Sequence, residues 1–84
     1  MTGSMSSMKK GEYGKIKELN NSGDIRRRLM DIGFIAGSPV VCIGKSPLGD
    51  PTAYLIKGAV IALRAEDSSE IMIEYDSERN IQAV

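Results

Sequence analysis

Gly44-Lys45-Ser46 is the one stretch of this chain that resembles phosphate chemistry, because glycine, lysine and a hydroxyl in series can close a nucleotide-binding loop. Such a loop needs a further glycine five positions before Gly44, and that position is Pro39. The residues between are Val40, Val41, Cys42 and Ile43, a β-branched run rather than free backbone amides able to hold a phosphate. Nucleotide hydrolysis is therefore not expected. Arg26-Arg27-Arg28 is the most concentrated charge, suited to an anion or to an acidic protein surface. On a helix these three could instead be solvated, with Asp24 pairing Arg28 at i,i+4 and Arg28 pairing Asp31 at i,i+3. Glu66, Asp67 and Glu70 offer oxygen ligands for a hard cation, or simply a wet turn. Cys42, among apolar neighbours, reads as a buried inert thiol.

Absent residue types exclude more. With no histidine there is no histidine-based triad, general base or metal ligand. A single cysteine forms neither an internal disulfide nor a CxxC knuckle, which fits a reducing cytoplasm. Eleven Lys and Arg balance eleven Asp and Glu, so there is no bulk positive field for nucleic acid. Four aromatics without tryptophan supply no stacking platform. The longest apolar run, Ala59 to Leu63, is far short of the roughly 20 residues that span a bilayer. No direct membrane insertion is expected.

These groups must be positioned by one small domain, since 84 residues bury roughly 63% of their surface and support one core. Residues 1–8, rich in Ser, Gly and Met, read as a disordered or vector-derived leader outside the fold. Residues 9–76 are expected to be the domain and 77–84 a flexible tail. Lys9 to Leu19 reads as a first strand, bulged at Gly11 or Gly14. Asp24 opens the one good helix and Gly33 closes it. Ile25, Leu29 and Ile32 share a stripe about 60° wide, Arg27 points away from it, and Arg28 is expected to lay its stem along the core edge. From Ser38 the period changes to two. Strands follow over Val40–Ile43, Thr52–Lys57, Ala59–Arg64 and Glu70–Tyr75, with Ile71, Ile73 and Tyr75 on one face. Five short strands and a helix after the first bury a common face only by curling into a small barrel.

Arg28-Leu29-Met30-Asp31-Ile32-Gly33-Phe34-Ile35-Ala36-Gly37-Ser38-Pro39-Val40 resembles the RLxxLGfxpGxxV signature of the FeoA family, the ferrous iron transport protein A domain. Pro47-Leu48-Gly49-Asp50-Pro51 is similar to that family's PlgdP loop, and Gly58 to Arg64 to its GxxiaLR strand, in the same order. Ile32 replaces the commoner leucine, and Ala36 stands where proline is frequent. The resemblance implies a mainly β, SH3-like barrel with an inserted helix. Arg28, Leu29, Gly33, Gly37, Pro47, Pro51, Gly58 and Arg64 would then be its architectural positions. It implies a non-enzymatic cytoplasmic accessory of bacterial Fe(II) uptake whose partner is the membrane transporter FeoB, through its cytosolic G-protein portion. No cofactor is required on this reading; weak Fe(II) or other divalent metal binding and a homodimer are compatible with it. Arg26, Arg27, Leu48, Gly49 and Asp50 are the candidate partner contacts, combining expected exposure with distinctive chemistry. The competing class is a transition-metal-binding protein, an iron chaperone or a metal-dependent dimer pooling ligands across its interface.

Overall fold

Alternating burial builds the sheet. A computed structural model of the chain describes residues 2–74. In chain order its strands are β1 (Thr2–Ser4), β2 (Tyr13–Leu19), β3 (Pro39–Lys45), β4 (Thr52–Ile56), β5 (Ala59–Leu63) and β6 (Ile71–Glu74). Helix α1 (Gly23–Ile32) joins β2 to β3, and the single turn α2 (Ala65–Ser68) joins β5 to β6. Ile16, Val40, Cys42, Tyr54, Ile56, Ile71 and Ile73 point inward at period two, and Leu29 and Phe34 close the core from the helix side.

The sheet is antiparallel in the order β1-β6-β2-β3-β4-β5. The mainly β architecture with one inserted helix is thus as expected, while two details differ. There are six strands rather than five, and the sheet stays open between β5 and β1 instead of closing into a barrel.

The extra strand comes from the leader. Thr2, Gly3 and Ser4 pair with Glu74, Ile73 and Met72 of β6, and Met5–Ser7 forms one 3-10 turn. Met5 is fully buried and Met8 nearly so. Residues 2–8 therefore belong to the domain rather than standing outside it. The reason is tertiary: β6 would otherwise leave an outer edge unpaired, and the buried Tyr54 hydroxyl needs a partner. It donates to the Met5 carbonyl at 3.2 Å. Burying the two methionines stabilises by about 1.5–3 kcal/mol each. The expected tail 77–84, and Tyr75, lie outside the described residues.

The bulge in β2 falls between Ile16 and Glu18, where the register against β6 slips, not at a glycine. A second slip lies between Cys42 and Gly44, against β4. Lys57 and Gly58 both have positive φ, 49° and 80°, the type I′ geometry that closes a two-residue hairpin between Ile56 and Ala59.

Candidate functional site

The helix forms where its sequence said it should. Leu29 is buried, and Ile25 and Ile32 pack against the core beside it. At its end Gly33 takes φ 131°, donating its N–H to the carbonyls of Leu29 and Met30 at 3.2 and 3.1 Å, while Phe34 N–H reaches Leu29 at 3.0 Å. The methylene stem of Lys57 lies over Gly33, so close that a Cβ there would sit 2.9 Å from Lys57 Cδ. The helix end and the β4–β5 hairpin are thereby in contact.

Arg26, Arg27 and Arg28 are all exposed on the opposite face. Arg28 is exposed like its two neighbours, and the core packing of α1 comes from Ile25, Leu29 and Ile32. Neither Asp24–Arg28 nor Arg28–Asp31 forms an ion pair; among the described residues the one ion pair is Arg64–Glu66, at 3.4 Å. Arg26 Nη1 donates to the Met30 sulfur at 3.3 Å. With Arg27, Gly23, Met30 and Asp31 it lines a shallow hollow of about 340 Å³. Two guanidinium groups therefore face solvent without an ion pair to a described residue, Asp31 lying in the same hollow beside an exposed thioether.

The Pro47–Pro51 loop begins as a hydrogen-bonded turn, with Gly49 N–H donating to Ser46 O at 2.8 Å and Ser46 N–H to Pro51 O at 3.0 Å. Leu48 stands 94% exposed at its tip. Asp50, expected as a contact beside it, is exposed and also makes an internal bond. Its Oδ1 accepts the Ala65 N–H at 2.9 Å, satisfying the start of α2, whose own preceding residue Arg64 provides no cap. Arg64 itself is spent on an open pair with Glu66, both side chains 69% exposed, which is worth at most about 1 kcal/mol. Gly37 N–H donates to Ile16 O at 2.8 Å, seating the helix-to-strand link on β2.

The structure does not bring the helix and loop candidates together. Gly33 to Ser38 carry helix α1 into the first residue of β3 and the loop leaves its last, so the two sets belong to opposite ends of a strand of seven residues, roughly 20 Å long. At the loop end lies a larger concavity of about 800 Å³ that sequence reasoning missed. Lys9, Lys10 and Lys45 line it, joined from two distant segments.

Among the described residues no three of Cys, Asp and Glu gather as metal ligands, Glu66, Asp67 and Glu70 included. Cys42 is buried, its thiol directed at Met8 O at 3.7 Å; burial, aided by the Glu12 carboxylate, raises its pKa and keeps it protonated. Among the described residues no helix is long and apolar enough to cross a membrane.

A six-stranded open antiparallel sheet with a helix inserted after β2, carrying its distinctive groups on the outside, defines an SH3-like domain. Residues 4–75 match the family model of the FeoA domain. The chain belongs to the FeoA family, a family of Fe(2+) transport.

An Fe(2+) transport protein A/Fe(2+) transporter FeoB fusion protein of Porphyromonas gingivalis is 30% identical over 73 residues, 87% of this chain. The chain spans only 9% of that relative's length. The FeoA protein of Chlorobium tepidum superposes with a TM-score of 0.82 at 26% identity, covering 86% of this chain and 69% of that one. Stenotrophomonas maltophilia FeoA complexed with zinc, described as a prokaryotic SH3 domain protein, matches in fold with a TM-score of 0.75 at 23% identity, over 88% and 89% of the two chains.

Proposed function

We propose that this domain is a non-enzymatic cytoplasmic accessory of bacterial Fe(II) uptake that docks on the cytosolic G-protein portion of a FeoB transporter. The observation that carries this reading is the Porphyromonas gingivalis relative, in which a matching segment shares one polypeptide with a FeoB transporter. A fusion supplies the encounter covalently, and a separate chain must supply it by a surface of its own. Arg26 and Arg27 are the candidates for that surface, because they are exposed, form no ion pair with a described residue and flank the exposed Met30. Leu48 is a second contact for a partner large enough to reach the loop end. Asp50 holds the loop through Oδ1 and remains exposed beside Leu48 as a third contact.

Titration of the transporter's cytosolic domain into the isotope-labelled protein, with and without guanine nucleotide, tests this. R26E/R27E is expected to weaken binding at least tenfold, about 1.4 kcal/mol. No binding in any nucleotide state removes the function; undiminished binding by the double variant removes the contact.

A further inference from the structure

The concavity at the far end of β3 has a composition that points to an occupant. Gly44 pairs with Ala53, and Ala53 with Ala62, so three side chains no larger than a methyl lie side by side across β3, β4 and β5. All three line the depression. An extended backbone can approach such a surface closely, over roughly 10 Å given the spacing of neighbouring strands.

The rim is basic. Among the described residues Lys9, Lys10 and Lys45 line the concavity and no Asp or Glu does. Lys10 lays its stem over Gly44, where a Cβ would meet its Cδ at 3.6 Å. None of the three lysines is in an ion pair with another described residue. The adjoining carboxylate, Glu12, accepts the backbone N–H of Lys9 at 2.7 Å. Ser46, also in the lining, has a buried hydroxyl with no hydrogen-bond partner.

We propose that this groove binds a short, extended, acidic segment of a partner protein, its backbone on the Gly44–Ala53–Ala62 strip and its carboxylates on the three lysines. Protein is favoured over phosphate-bearing ligands by what the lining lacks. Among the described residues it contains no arginine to grip a phosphate in bidentate fashion and no aromatic ring on which a base could stack. Its apolar part, including Met8 and Ile43, suits alternating aliphatic side chains. This surface is separate from the arginine face of α1 and does not depend on the partner assigned to that face.

The test is a heteronuclear NMR titration of the full chain with acetyl-ELDLE-amide, against acetyl-KLKLK-amide, inorganic phosphate and phosphatidylserine vesicles. Saturable shifts are expected at Gly44, Ala53 and Ala62 with the acidic peptide, and little with the basic one. K10E/K45E should weaken the acidic peptide at least tenfold, and Ala62→Leu, at an exposed position, should block it by filling the strip. Thermal melting of each variant separates lost binding from lost fold. R26E/R27E should leave the peptide affinity unchanged, so failure here is distinguishable from failure at the transporter. Equal binding of the basic peptide, undiminished affinity in folded K10E/K45E, shifts confined to α1, or a stronger response to phosphate or vesicles would each overturn the proposal.

Discussion

The two ends of β3 carry positive charge in opposite ways. At the α1 end, three consecutive arginines sit on a convex helix, and successive side chains diverge by about 100°. Only Arg26 and Arg27 share a shallow hollow, and a partner meets the three as a charged ridge. At the other end, Lys9 and Lys10 come from the link between the 3-10 turn and β2 and Lys45 from β3, and they surround a concavity. Contiguity in sequence produced the dispersed site, while separation in sequence produced the gathered one. A run of like charges advertises itself in a sequence without making a pocket, and a pocket assembled from distant segments leaves no local sign.

The comparison breaks most easily at its leader. Met5→Ala is expected to cost about 2–5 kcal/mol, read as a lowered urea midpoint, because a fully buried methionine is lost with the packing around it. In protein that remains folded, peptide binding at the groove should suffer and the α1 face should not. Tyr54→Phe comes next, at about 0.5–1.5 kcal/mol, since it removes the bond that fixes the Met5 carbonyl.

Burial raises the Tyr54 pKa above its ordinary value near 10. Its contribution to stability is therefore intact below pH 10 and is lost as pH climbs from there toward the raised value. Melting temperature against pH should fall more steeply in the native protein than in Tyr54→Phe over that window.

Smaller effects sharpen the contrast. Asp50→Ala should cost about 1 kcal/mol by orphaning the Ala65 N–H, and hydrogen exchange at Ala65 should accelerate. At the helix end stability and binding should part company. R26E should leave stability unchanged or raise it by about 0.3–1 kcal/mol, an acid near a helix N-terminus being favourable, while weakening the transporter contact. Chemical denaturation beside binding reads both signs at once.

How much was legible follows the same division. Helix α1, its Gly33 stop and the Lys57-Gly58 hairpin were readable because each is fixed by residues within one turn or one reversal. Ile71 and Ile73 declared their strand by alternation alone. The leader was misread because Met5 and Met8 stand among serines with no period, and only β6 and Tyr54 reveal why they are held. The internal bond of Asp50 was not legible because the amide it satisfies belongs to another element. The bulge after Ile16 escaped notice for want of a glycine, since its cause is the register of β6.

Pairing of Thr2 with Glu74 has a topological consequence. Opposed residues of antiparallel strands lie about 5 Å apart, so the described domain begins and ends at nearly the same point in space. Its entrance and exit form one doorway. A unit of that kind can be spliced into a surface loop of a larger polypeptide while parting the host's ends by little more than a single peptide step.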